Sequence, residues 1–336
     1  MTIWILLLLV LITSLLLTVV LRQYALKHSV IDIPNERSSH SIPTPRGGGV
    51  AIVISFLIAI PCLYALNMIS NNMLWAVLVG GFGIAALGFL DDHGHIAARW
   101  RLLGHFSAAI WALYCLGGLG TLNIFGWSLN LLWLGHTLAL FYIVWLLNLY
   151  NFMDGIDGLA SVETICTCIC GAILYVLLGN TKLAFLPLIL AFSVSGFLIW
   201  NFPPAKIFMG DAGSGFLGFV LAILSLQAAW FNPDLLWSWI ILLGVFIVDA
   251  TYTLIHRLLR GDKVYEAHRS HAYQYASRQY KGHRPVTLAV LAINLLWLFP
   301  LALLVGLNYI DGVLGMIIAF TPLLALTIKF KAGTKE

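Results

Sequence analysis

The stretch IWILLLLVLITSLLLTVVL at residues 3–21 contains no charged side chain. A helix rises 1.5 Å per residue, so about 20 such residues cross the ~30 Å hydrocarbon core of a bilayer. The rest of the chain repeats this character. Hydrophobic residues make up 61% of the 336 and charged residues only 10%, with a mean hydropathy of +0.94. Water-soluble globules carry about 25% charged residues, which excludes that class and leaves an integral membrane protein.

Apolar windows recur near 3–21, 50–68, 74–90, 103–120, 129–147, 159–179, 183–200, 213–230, 235–256, 286–307 and 309–328. They predict an all-α, polytopic membrane protein with about eleven transmembrane helices. The run over 286–328 is split at 307–309 because its length suits two crossings. Lys and Arg gather in short cytoplasmic loops, and an N-terminus outside puts all but Lys182 of the 18 on one face. They lie in loops 22–48, 91–102, 201–212 and 257–285 and in the tail from Lys329. The N-terminus is therefore expected in the periplasm and the C-terminus in the cytoplasm.

No basic residue precedes the first window and no small-residue cleavage pattern follows it, so 3–21 reads as a retained helix. The formal charge of +4 follows from the inward basic bias and attraction to anionic lipid headgroups; it calls for no nucleic acid. Cys62, Cys115, Cys166, Cys168 and Cys170 all fall in apolar windows, and CTCIC spacing scatters thiols around a helix, as packing residues rather than a metal set. Without a repeat or low-complexity stretch, residues 1–336 read as a single membrane domain.

The acids are not scattered. Asp91, Asp92, Asp154, Asp157 and Asp211 all fall at the expected cytoplasmic ends, while Glu163 and Asp249 lie one to two turns inside. An intramembrane ionisable group needs a polar cavity or a partner, and a cavity open to the cytoplasm is the expectation. In NFMDGIDGLASVE (151–163), Asp-Gly marks a turn; if the segment is helical, Asp154 and Asp157 share a face and need a cation between them. Asp91 and Asp92 point about 100° apart on a helix, so one can bind metal while the other takes a proton. In NFPPAKIFMGDAGSGF (201–216), Lys206 is suited to neutralising a diphosphate and Phe208 to stacking on a base. Its glycines admit close backbone approach to a phosphate at a helix start. SIPTPRGGGV (41–50) repeats that pattern with Arg46, though its glycines serve helix packing equally well. EAHRSHAYQ sets His268, Arg269 and His271 close together as diphosphate donors; a basic juxtamembrane loop also binds anionic lipids without further purpose.

Five motifs in this order, RSSHSIPTPRGGGVAI (37–52), GFLDD (88–92), NLYNFMDGIDGLA (148–160), NFPPAKIFMGDAGSGFLGF (201–219) and IVDATYTLIHRLLRG (247–261), resemble the polyprenyl-phosphate N-acetylhexosamine-1-phosphate transferases over nearly the whole chain. The resemblance implies transfer of a sugar 1-phosphate from a UDP-N-acetylhexosamine to undecaprenyl phosphate with release of UMP. It also implies Mg²⁺, with Mn²⁺ able to substitute. Asp91, Asp92 and Asp154 are the implied catalytic residues, and Asp211 with Asp92 the implied metal ligands. Asn148, Asn151, Asp154 and Asp157 match the polar segment that meets metal and nucleotide, Asn201 a nucleotide contact, and Phe208 the aromatic on uracil. Many relatives carry an HxHH run where this chain reads His271, Ala272, Tyr273, Gln274; this version resembles the branch that initiates O-antigen and related glycans. The implied site is built from loops 22–48, 91–102, 148–158, 201–212 and 257–285, facing the cytoplasm of a bacterial inner membrane, with a homodimer as a further candidate partnership. A secondary transporter with an acidic cytoplasmic cavity is the alternative. A CDP-alcohol phosphatidyltransferase is disfavoured because Asp157-Gly158-Leu159-Ala160 is followed by Ser161 instead of Arg.

Overall fold

The computed structural model describes residues 2–34, 42–94, 96–262 and 269–334. Every apolar window falls on helix. Ile3–Lys27, Asn71–Gly94, Leu132–Met153, Leu159–Leu177, Thr181–Asn201, Asp211–Phe231, His283–Gly306 and Gly312–Lys329 are long and apolar enough to cross a membrane. Pro233–Leu242 and Gly244–Leu259 make a ninth if their 71° bend is counted within one span. Among the described residues eight or nine helices thus meet both criteria, where the windows predict about eleven. Gly49–Ala65 has only 17 residues, and Ala98–Leu116 opens with Arg99, Arg101 and His105.

At the ends expected outside, local chemistry starts the helices. Ser70 accepts from the Met73 N–H, Asn180 from Leu183, Asn232 from Asp234 ahead of Pro233, and Asp311 from Val313 and Leu314. Each side chain satisfies an N–H that the helix itself leaves open. Two short antiparallel pairs, Ile31–Asp32 with Thr44–Pro45 and Leu122–Ile124 with Trp127–Leu129, lie outside the all-α expectation. They are too short to bury a face and act as loop pins; the first delivers the chain to Arg46, whose N–H bonds the Val30 carbonyl at 3.2 Å.

Asp211–Phe231 is the central helix. Of its apolar window 83% is buried, against 22% for Ile3–Lys27 at the periphery. A helix apolar on all sides belongs inside a bundle, and this one packs on Gly49–Ala65, Phe82–Gly94 and Leu132–Met153. Gly88 allows the approach of the second of these. A Cβ there would stand 2.6 Å from the Asp211 carbonyl carbon and from the Ala212 nitrogen. That contact carries Asp91 and Asp92, one turn further along, to the start of the central helix.

The window over 235–256 predicts an uninterrupted crossing, but the chain breaks at Leu243. The second half carries Asp249, Thr253, His256 and Arg257. Its bend turns that polar stripe toward residues 270–273.

Candidate active site

Two segments that are far apart in sequence meet first. The Phe208 N–H bonds the Pro45 carbonyl at 2.8 Å, the Gly48 N–H the Phe208 carbonyl at 2.9 Å, and the Gly49 N–H the Met209 carbonyl at 2.8 Å. Proline-stiffened, glycine-rich chain on both sides makes this backbone pairing sterically possible. It brings Arg46 to Asp211.

The Arg46 Nη2 lies 2.6 Å from Asp92 Oδ1 and 2.9 Å from Asp211 Oδ1. Asp92 also accepts the N–H groups of Asp211 and Ala212, at 3.1 and 3.3 Å. A carboxylate at the positive end of the central helix is stabilised there. Gly210, at φ +79°, makes the turn, and a Cβ on it would stand 2.7 Å from Asp92 Oδ2. Burial acts to lower the Arg46 pKa; the charges of Asp92, Asp211 and Asp32 outweigh it and hold the guanidinium above its ordinary value. A second cation mirrors the first. Arg101 Nη1 bonds Asp91 Oδ2 at 2.5 Å and stands 4.0 Å from Asp211 Oδ2, while the Ile96 N–H bonds the other Asp91 oxygen at 2.7 Å.

Asp154 is the last polar residue of this centre and the least compensated. It follows Leu132–Met153 and is half-buried. Among the described residues no hydrogen-bond donor reaches its carboxylate. Burial, then Asp211, Asp92 and Asp157, push its pKa well above the usual carboxylate range, against the opposing charge of Arg46. Because it feels all three acids, Asp154 marks the place where their surroundings join.

Two clefts flank that place. One, of about 470 Å³, is lined by Ile42, Thr44, Asp157, Phe208 and the Lys281–Pro285 segment. In it Asp157 Oδ2 accepts from the Ala205 N–H at 2.9 Å. His283 Nδ1 lies 3.1 Å from Asp157 Oδ1 and 3.3 Å from the Asp157 nitrogen. The other, of about 210 Å³, joins Asp91, Arg101, His105, Asn148, Asn151 and Asp211 to apolar walls such as Leu87 and Leu147. Asn151 donates to Ser214 at 3.1 Å and Asn148 to the Val144 carbonyl at 2.7 Å.

The last loop departs from the sequence expectation at His271. His271 is 2% exposed with Nδ1 3.3 Å from Asp249 Oδ1, so it faces into the protein and is not available to a cytoplasmic diphosphate. His268 lies outside the described residues. The Arg269 carbonyl receives the Arg278 guanidinium at 3.4 Å. Lys281, His283 and Arg284 line the larger cleft instead. Lys206 turns to the Trp200 ring, 5.2 Å from its centroid, and lines neither cleft. Asn201 is buried as a brace, accepting from the Gly158 N–H at 3.0 Å and donating to the Ile207 carbonyl at 3.0 Å. Glu163 is fully buried, with Oε2 2.6 Å from Asn294 Nδ2. Arg101 and His283 escaped the sequence reading because their only signal, a basic residue a few positions from a motif, is common to every such loop.

The donor set is one of oxygen. Among the described residues no three His, Cys, Asp or Glu side chains form a closed ligand group, as a structural zinc site would. Mg²⁺ is usually held by one or two carboxylates together with substrate phosphates and water. Asp211 and Asp92, which share the Arg46 guanidinium, fit that requirement.

A bundle of apolar helices that draws acids and arginines together defines a multi-pass membrane protein with a polar centre. The sequence profile of glycosyl transferase family 4 matches residues 74–229. The chain is 31% identical to the probable undecaprenyl-phosphate N-acetylglucosaminyl 1-phosphate transferase of Bacillus subtilis, over 85% of this chain and 80% of that protein. It is 31% identical to the decaprenyl-phosphate N-acetylglucosaminephosphotransferase of Mycobacterium leprae, over 76% of this chain and 72% of the other. It is 28% identical to the phospho-N-acetylmuramoyl-pentapeptide-transferase of Streptococcus pneumoniae, over 70% and 74%. The chain belongs to the polyprenyl-phosphate hexosamine-1-phosphate transferase family, and the transporter alternative falls with that finding.

Proposed function

We propose that the protein transfers N-acetylhexosamine 1-phosphate from a UDP-sugar to undecaprenyl phosphate at the cytoplasmic face of a bacterial inner membrane. The products are undecaprenyl-diphosphate-sugar and UMP, in the initiating step of O-antigen or a related envelope glycan. An eleven-helix topology with an outer N-terminus and inner C-terminus goes with this reading, since it puts the acid cluster and the basic residues on one side. The observation that carries it is the bridging of Asp92 and Asp211 by Arg46, with Asp154 near enough for both acids to act on its carboxyl.

Both reactants are anionic, so catalysis of phosphoryl transfer is chiefly charge neutralisation and in-line positioning. The larger cleft suits the nucleotide: Phe208 offers a ring face to the base, and Lys281, His283 and Arg284 offer positive charge. The smaller suits the lipid phosphate, with Arg101 as its cation, Asp91 orienting Arg101, and apolar walls for the first part of the chain. A phosphate monoester has its second pKa near ~6, so the acceptor arrives largely ionised. An oxygen of the lipid phosphate attacks the phosphorus that bears the sugar; the bond to UMP breaks, and UMP leaves with that bridging oxygen toward the cytoplasm. Mg²⁺ bound at Asp211 and Asp92 would supply positive charge to the diphosphate. Arg46, already beside both carboxylates, neutralises this end of the site and orients Asp92.

The test is incubation of the purified protein with Mg²⁺, undecaprenyl phosphate and radiolabelled UDP-N-acetylhexosamines. One or more labels should enter the lipid phase, and chelation should prevent it. Folded protein that transfers no label from any of these donors would refute the proposal.

A further inference from the structure

The Asp249 carboxylate is 5% exposed and accepts four contacts at once. The Ala272 and Tyr273 N–H groups lie at 2.9 and 3.0 Å, the Thr253 hydroxyl at 3.1 Å and His271 Nδ1 at 3.3 Å. An intramembrane acid has thus found its partner in the first turn of the Ala272–Gln279 helix. That turn is further closed by the His271 N–H, which bonds Gln274 Oε1 at 3.2 Å.

From this fixed turn Tyr273, 4% exposed, reaches the loop that carries Asp154. Its hydroxyl donates to the Phe152 carbonyl at 3.0 Å and is in turn hydrogen-bonded by the Gly155 backbone. A Cβ on Gly155 would stand 2.1 Å from the phenol oxygen and 3.2 Å from the Gln274 amide nitrogen, so only glycine admits the contact. One hydroxyl therefore holds the main chain on both sides of Asp154. Burial, then Asp249 and Asp154, raise the phenol pKa well above its ordinary value, and the group remains a donor throughout the working range. Asp154 itself has no side-chain donor among the described residues.

We infer that Tyr273, anchored by Asp249, is a positioning residue for the transfer reaction: its hydroxyl fixes the Phe152–Gly155 backbone and thereby holds the Asp154 carboxylate near Asp211 and Asp92. The inference rests on the function proposed above. It adds two residues, on different elements, that touch neither reactant.

The experiment compares wild type, Tyr273→Phe, Tyr273→His and Asp154→Asn, by steady-state kinetics with UDP-N-acetylhexosamine, by EPR titration of Mn²⁺ with and without UDP, and by thermal unfolding. Small misplacements in phosphoryl-transfer sites are costly in rate, so Tyr273→Phe should lose at least about tenfold in kcat with little change in the donor KM. Its Mn²⁺ affinity should weaken several-fold in the same samples, while the unfolding temperature stays near that of wild type. Tyr273→His, which offers a ring N–H from a shorter side chain, should recover part of both losses. Unchanged kcat and Mn²⁺ binding in Tyr273→Phe, with both lost in Asp154→Asn, would overturn the positioning role and leave the proposed function standing. Losses that merely follow a fall in unfolding temperature, with His no better than Phe, would also overturn it. Wild-type turnover and Mn²⁺ binding in Asp154→Asn would instead count against the role given to Asp154 in the proposed function.

Discussion

Replacing Arg46 by Met separates electrostatic support from mere packing at the acid cluster. The guanidinium bridges Asp92, whose side chain is 2% exposed, and Asp211, at 25%, and is itself 34% exposed. Removing one partner of a fully buried pair destabilises by about 3–5 kcal/mol. Water already reaches a third of this arginine, and Asp92 keeps two backbone donors. Screening and these donors together bring the expected loss to about 2 kcal/mol. With an unfolding entropy of about 2.1 cal/mol/K per residue, that is a fall of about 3 °C in unfolding temperature. The assay is thermal unfolding in detergent, with chelator and with saturating Mg²⁺. The loss should be full in chelator and markedly smaller in Mg²⁺, because a divalent ion takes over the charge that Met lacks. An equal loss in both conditions would refute the reasoning, since Arg46 would then be a packing residue and the carboxylates would not share a cation.

Three further outcomes are expected. His283→Ala removes the imidazole beside Asp157 and should raise the UDP-sugar KM several-fold with a smaller effect on kcat; an unchanged KM would remove Asp157 from the nucleotide side. Asp154 has a folded pKa above its ordinary value, so its contribution to stability is fully present below the ordinary carboxylate pKa and is lost as pH rises through the folded value. In chelator the protein should therefore lose stability as pH rises above the ordinary carboxylate range, and the stabilisation by Mg²⁺ should grow over the same rise; stabilisation independent of pH would contradict this. Gly88→Ala forces a Cβ to 2.6 Å from the backbone of Asp211 and should destabilise by about 1–3 kcal/mol, read as a lower unfolding temperature; a wild-type value would mean that the two helices approach less closely.

Hydropathy made the helical bundle legible because each crossing is a local property of about 20 residues. Asp91, Asp92, Asp154 and Asp211 could be grouped at one end for the same reason, since only the parity of crossings decides the side. The break at Leu243 and the engagement of Asp249 with residues 271–273 across the fold left no comparable mark in hydropathy. That contact explains the misreading of the last loop. His268, Arg269 and His271 are close in sequence, but the start of the Ala272–Gln279 helix turns His271 inward, and His283, remote from the motif, comes to Asp157 instead. Sequence proximity is a poor guide to convergence wherever a carboxylate captures a helix N-terminus. The ion pairs of Arg46 join positions separated by a whole series of helices, which no local pattern records. The one advance signal was Asp249 itself: an acid within the membrane requires a partner, and that partner led to Tyr273.

The central claim is that Asp92 and Asp211, carboxylates from two separate helices, hold a divalent ion against the diphosphate of the donor. The most direct measurement is ³¹P electron–nuclear double resonance on the purified protein with Mn²⁺ and UDP-N-acetylhexosamine, for wild type and Asp211→Asn. The account predicts a protein-bound Mn²⁺ with ³¹P coupling in wild type, and loss of that bound ion in the variant. An unaltered ³¹P-coupled, protein-bound Mn²⁺ in Asp211→Asn would contradict it.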